Sequence, residues 1–141
     1  MDQFVEFARN HWGLFLALVV VVALLIGNEV MRLLRRYREV TPAEATNLTN
    51  RENAVMLDIR DPKEYREGHI INAKHVPLGE LDRRVKELER YKDRPVVAYC
   101  RTGQQSARAC ALLEKQGFQP VYNLKGGIQA WRNAHLPVTK E

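Results

Sequence analysis

The residues with the clearest chemical potential form one short run, Cys100-Arg101-Thr102-Gly103-Gln104-Gln105-Ser106. Pro95-Val96-Val97-Ala98-Tyr99 precedes it, an apolar, β-branched segment behind a proline that predicts a buried strand. Residues 106–116 follow, rich in helix formers and closed by Gly117 in a C-cap position. The cysteine is thereby placed where a strand ends and a small loop opens into a helix. The first amides of a helix lack internal partners and carry about half a positive charge, so the loop centre favours an anion. The cysteine can supply that anion itself: a thiolate in such a setting has its pKa lowered from about 8.5 into the range ~3.5–7.5. Cys100 therefore reads as a nucleophile, with the amides of residues 101–106 as its anion cradle.

Free cysteines are more often buried packing residues, and the second cysteine shows the contrast. Cys110 lies inside the expected helix among Ala107, Ala111 and Leu112, where the packing role applies, and nothing predicts a disulfide to Cys100. The protein tyrosine phosphatases also use a cysteine in an anion-binding loop, with the pattern C-x5-R, and their arginine grips phosphate with two prongs. Here the position six after Cys100 is Ser106, and Arg101 and Arg108 are out of register. Phosphate or arsenate chemistry is disfavoured, and a smaller anion such as a cysteine-bound sulfur suits the loop better.

Three stretches together resemble the single-domain rhodaneses, a sulfurtransferase family. Val55-Met56-Leu57-Asp58-Ile59-Arg60, followed by Glu64-Tyr65 and Gly68-His69-Ile70, is similar to the family's amino-terminal signature. The Cys100 loop is the second stretch. Leu124-Lys125-Gly126-Gly127, with Ile128 and Trp131, resembles the carboxy-terminal Gly-Gly-x-x-x-Trp signature. The likeness spans roughly residues 39–138. It implies a persulfide carried covalently on Cys100, no metal and no other cofactor, a small-molecule sulfane donor such as thiosulfate, and a thiol or cyanide acceptor. Arg101, Thr102, Gly103, Gln104, Gln105 and Ser106 would form the substrate-binding loop, with Arg101 attracting an anionic donor. Many active members carry arginine or lysine where Gln105 stands, so one contribution to the loop is altered. From another class comes the alternative of a membrane-anchored binding, scaffold or sulfur-carrier module with little turnover.

The remaining elements build a scaffold for that loop. Thr41-Pro42-Ala43-Glu44 is a capping box with proline at the first helical position, and Asp61-Pro62-Lys63-Glu64 repeats the pattern for a brief helix stopped by Gly68. Residues 54–59, 74–76, 95–100 and 121–124 read as strands. Leu78, Leu81, Val85 and Leu88 recur at helical spacing, and a closing helix holds Ile128 and Trp131. Short strands alternating with helices predict an α/β fold with a mostly parallel central sheet flanked by helices on both faces. Sites in such sheets lie at the carboxyl ends of strands, so Asp58 and Arg60 border the same pocket as Cys100. Their simplest role is a structural hydrogen-bonded pair. His69 is expected to bond backbone, Gly126-Gly127 to make a tight turn, and Trp131 to fill the core.

The chain of 141 residues is 45% hydrophobic, yet its mean hydropathy is −0.38, so the apolar residues are concentrated. They collect in residues 12–26, an uninterrupted apolar run that reaches the ~20 residues needed to cross a bilayer once continued to Met31. A cleaved signal peptide would want a positive start and an A-x-A site, whereas this one offers Asp2 and Glu6. A core helix would show a polar face. The division expected is an anchor with a basic segment over residues 1–38 and the catalytic domain over 39–141. Arg32, Arg35, Arg36 and Arg38 follow the run and only Arg9 precedes it, so the positive-inside rule places the domain in the cytoplasm, with the protein crossing a bacterial inner membrane once. A membrane-protein partner is compatible with that placement, and two cysteines there stay reduced.

Of the net charge of +5, +2 falls before Glu39, where arginines meet anionic lipid, and the rest is interspersed with acids, as in residues 83–90. No aromatic-interleaved basic patch and no zinc-ligand spacing occur, so neither nucleic acid nor metal is expected.

Overall fold

A computed structural model of the protein describes residues 1–34 and 37–141. Arg35 and Arg36 of the basic cluster, and the side chains of residues 32–34, lie outside the described residues. The chain divides into two compact units, Met1–Arg35 and Arg36–Glu141.

The first unit is helical. Helix α1 (Asp2–Asn10) sets Phe4 and Phe7 edge-on against Phe15, and Phe7 also stacks on His11. Helix α2 (Trp12–Leu34) contains the apolar span Trp12–Met31, of 20 residues and mean hydropathy 2.5, none of it buried within the protein. At 1.5 Å per residue this is ~30 Å, the thickness of a hydrocarbon core. One helix is thus long and apolar enough to span a membrane.

The second unit is an α/β fold around a five-stranded, wholly parallel sheet of order β1-β6-β5-β2-β4. Its strands are β1 (Arg38–Val40), β2 (Val55–Asp58), β4 (Lys74–His75), β5 (Val96–Tyr99) and β6 (Val121–Leu124). A separate antiparallel pair joins β3 (His69–Ile70) to β7 (Val138–Thr139). Helices α3 (Pro42–Glu52), α4 (Pro62–Glu67), α5 (Leu78–Arg84), α6 (Gln104–Lys115) and α7 (Gly127–Asn133) complete it, with a 3-10 segment at Val85–Tyr91. The inner strands β2 and β5 are buried along their whole length because both faces are covered. Along β5, Val96 and Ala98 enter one core with Leu81, Leu88, Ala109 and Leu113, while Val97 and Tyr99 enter the other with Ala45, Ile128 and Trp131.

Local rules account for most boundaries. Thr41 caps α3 by accepting the Glu44 amide, and its hydroxyl donates back to the Glu44 carboxylate. Asp61 occupies the N-cap of α4 but makes no side-chain cap bond, so there the pattern gives the position without the contact. The expected helix over Leu78–Leu88 tightens into 3-10 from Val85. Strands β1, β3 and β7, of two or three residues each, are not among those expected from the sequence pattern.

Candidate active site at the end of β5

Strand β5 is central, and its neighbour β2 runs in register with it, Asp58 opposite Tyr99. The residues just beyond, Cys100 on one strand and Ile59-Arg60 on the other, therefore leave the sheet side by side. The turn after Cys100 then delivers the chain into α6, which starts at Gln104, two residues earlier than expected.

The cysteine sulfur lies inside this turn. Cys100 is 2% exposed, and its Sγ accepts the Gly103 amide at 3.0 Å and the Ser106 amide at 3.3 Å, with Ser106 Oγ at 3.4 Å. Burial alone raises the thiol pKa. The Ser106 hydroxyl and amide and the amides of Gly103 and Thr102 outweigh it and hold the thiol below its ordinary value. Cys110 is the opposite case. Burial first, then the Glu114 charge, pushes its pKa up, and its Sγ–H donates to the Tyr122 carbonyl. Both thiols are free.

The loop is shaped by glycine and by the next helix. Gly103 has φ +102, and a Cβ there would lie 3.3 Å from the Leu124 carbonyl oxygen. Gly127 has φ +60, and a Cβ there would come within 2.5 Å of the Cys100 and Arg101 carbonyl oxygens. That closeness lets α7 bind the loop from outside: the Ile128 amide donates to Cys100 O at 2.9 Å and the Gln129 amide to Arg101 O at 3.3 Å. The carbonyls of residues 100 and 101 thus point at α7 while the Gly103 and Ser106 amides point at the sulfur.

Asp58 and Arg60 form the buried pair expected of them, 0% and 6% exposed. Arg60 Nε and Nη2 donate to the Asp58 carboxylate, the shortest contact 2.7 Å, and Nη2 also reaches Gly68 O at 2.6 Å. Tyr99 donates its hydroxyl to Asp58 Oδ2 and accepts the Ile70 amide. Burial and then the Asp58 charge push the Tyr99 phenol up, so it remains a donor. Burial draws the Arg60 pKa down, but hydrogen bonding to Asp58 and its charge leave it raised. His69 bonds the Tyr65 carbonyl through Nδ1, and its ring stacks on Tyr65. Arg60 also lines a cleft of about 560 Å³ with Lys63, Glu64, Glu67, Arg101 and Arg132. Arg101, Thr102, Gln104 and Gln105 are exposed. A separate hollow of about 290 Å³ is lined by Phe118, Pro120 and Tyr122 and by no residue of the cysteine loop.

Sequence reasoning missed Asn123. It is 4% exposed at the end of β6, and Ser106 Oγ donates to its Oδ1 while its Nδ2 donates to Gly103 O at 2.9 Å. No local pattern marks it, because its partners lie on another element.

The structure is thus an α/β domain whose central parallel strand ends in an amide-cradled cysteine. Residues 41–134 match the Rhodanese-like domain, and the chain belongs to that family. It is similar to the Escherichia coli (strain K12) protein YibN, 30% identical over 141 residues and 99% of each chain. It is also similar to the thiosulfate sulfurtransferase GlpE of Coxiella burnetii, 35% identical over 103 residues, covering 73% of this chain and 94% of that one. Among solved structures, a rhodanese-related protein of Thermoplasma volcanium superposes with a TM-score of 0.67 at 31% identity, over 74% of this chain and 100% of that one.

Proposed function

We propose that the protein is a membrane-anchored sulfurtransferase that carries sulfane sulfur as a persulfide on Cys100. The observation that supports this most is the buried Cys100 sulfur accepting two backbone amides, with its thiol held below the ordinary value. The thiolate attacks the outer sulfur of a donor such as thiosulfate. The new S–S bond forms as the old one breaks, and sulfite leaves with the bonding pair. The loop amides stabilise the anionic sulfur as an oxyanion hole stabilises oxygen. A thiolate or cyanide then attacks the outer sulfur of the persulfide and releases Cys100 as thiolate, so neither metal nor organic cofactor is required. Arg101, beside Arg60, Lys63 and Arg132 in the cleft, draws the anionic donor in.

The same reading places α2 across a bacterial inner membrane and the catalytic unit in the cytoplasm, where thiols stay reduced. The donor and acceptor are small molecules, and a protein in the same membrane is a compatible partner.

The test is a mass spectrum of the purified protein after incubation with thiosulfate. An adduct of one sulfur atom on Cys100 is expected, removed by cyanide with release of thiocyanate. Cys100→Ser loses adduct and transfer while keeping its fold, and Cys110→Ser retains both. Absence of the adduct from the parent protein overturns the proposal. An adduct that forms but does not pass on to cyanide or thiols identifies a sulfur carrier in place of a turnover enzyme.

A further inference from the structure

Three residues close a ring of hydrogen bonds through the cysteine, and one of them, Asn123, lies outside the loop. The Gly103 amide donates to Cys100 Sγ, and the Gly103 carbonyl accepts from Asn123 Nδ2. Asn123 Oδ1 accepts the Ser106 hydroxyl, and Ser106 returns to the sulfur through its amide and its oxygen. Asn123 therefore holds, by one bond each, the two residues whose amides grip the sulfur. We propose that Asn123 is a positioning residue for the Cys100 chemistry, fixing the convergence of the Gly103 and Ser106 amides from the end of the neighbouring strand.

Its side-chain orientation is dictated by these partners. Gly103 O can only accept, so Nδ2 must face it, and Oδ1 must then face Ser106. The hydroxyl of Ser106 consequently has one proton and two acceptors, Asn123 Oδ1 and the thiolate. With a neutral thiol, Ser106 gives that proton to Asn123 and accepts from S–H. With a thiolate, the hydroxyl can turn to the sulfur, and the bond to Gly103 O is then the one through which Asn123 holds the cradle. A purely structural asparagine would be replaceable by any side chain that fills the space. Asn123 is not, because a buried acceptor and a buried donor would each be left without a partner.

The proposal rests on the sulfur-transfer reading only for its consequence in turnover, since the acidity of Cys100 can be read without any transfer. The pH midpoint of Cys100 alkylation by iodoacetamide is measured in full-length protein carrying Cys110→Ser. Ser106→Ala removes the ambiguous hydroxyl, and adding Asn123→Leu to it then removes only the grip on Gly103. That addition is expected to raise the midpoint by about one pH unit, the effect of weakening one hydrogen bond to an ionised acceptor. Asn123→Asp, which keeps the size but repels Gly103 O, should raise it further. An unchanged midpoint on adding Asn123→Leu overturns the proposal. A measurement without substitution at Asn123 covers the case in which these variants do not fold. In protein carrying only Cys110→Ser, the Asn123 side-chain amide resonances should move with the midpoint of Cys100, and resonances that stay fixed through that midpoint also overturn it. If the midpoint responds as expected but no persulfide ever forms, the positioning role stands and the transfer reading falls.

Discussion

At the scale of single residues, two cysteines are set apart by their surroundings, backbone amides on one sulfur and burial with a nearby carboxylate on the other. Cys100 and Cys110 are both buried, yet only Cys100 receives two amides on its sulfur, and its pKa moves down where that of Cys110 moves up. The alkylation midpoint of Cys100 should accordingly lie below the ~8.5 of a free thiol. Arg101→Ala should raise it and weaken an anionic donor more than a neutral one, as the exposed guanidinium acts through its field and not through a contact. A midpoint at or above that of the free thiol refutes the cradle as a source of acidity. The sign for stability follows from linkage. An acid whose folded pKa is depressed stabilises the native state fully above its unfolded pKa and loses that contribution as pH falls through the folded value. Urea unfolding of parent and Cys100→Ser should therefore diverge in favour of the parent as pH rises from the folded midpoint toward ~8.5, and then run parallel. A difference that is flat with pH contradicts the shift.

At the scale of elements, the loop is a product of its neighbours as much as of its own sequence. Gly127 tests this, because a methyl group there meets two loop carbonyls at 2.5 Å, whereas one at Gly79 in α5 meets nothing within 4 Å. Gly127→Ala should cost about 2 kcal/mol or more and raise the Cys100 midpoint by displacing the carbonyls of residues 100 and 101. Gly79→Ala should stabilise by about 0.5–1 kcal/mol, the ordinary helical preference for alanine. Equal thermal midpoints for the two variants would count against a close α7–loop contact. The two glycines also mark what a sequence can reveal. The strand–cysteine–helix order, the Thr41 capping box and the Asp58–Arg60 pair are encoded by residues close together in the chain, and each was legible. The outward bonds to α7 and the Asn123 contacts join residues 17 to 28 positions apart, so no local period carries them. Gly126-Gly127 could be read as a turn, but not as the place where that turn touches the cysteine loop.

At the scale of the whole molecule, the division between an apolar helix and a folded α/β unit sets the terms of the membrane prediction. Strand β1 begins at Arg38 and pairs along β6, with Glu39 opposite Asn123 and Val40 opposite Leu124. The place to separate the two units is thus ahead of β1. Deletion of residues 1–35 should release a soluble, folded unit. Deletion through Thr41 should expose the β6 edge that carries Asn123 and lower both the thermal midpoint and Cys100 reactivity. Orientation rests on Arg32, Arg35, Arg36 and Arg38 after the apolar run against Arg9 before it. Cys100 lies in the amide cradle, so its labelling would report its acidity as well as its side of the membrane. An exposed position serves better, and Glu141 is one. In intact cells producing the full chain with both native cysteines replaced by serine, a membrane-impermeant maleimide should label Gln3→Cys directly. Glu141→Cys should label only after permeabilisation. Neutral replacement of the four arginines should weaken or randomise that asymmetry, since the charge bias is the one feature that distinguishes the two flanks. Labelling of Glu141→Cys from outside in intact cells reverses the topology and moves the thiolate into an oxidising compartment, where a free Cys100 would need a reductant to turn over.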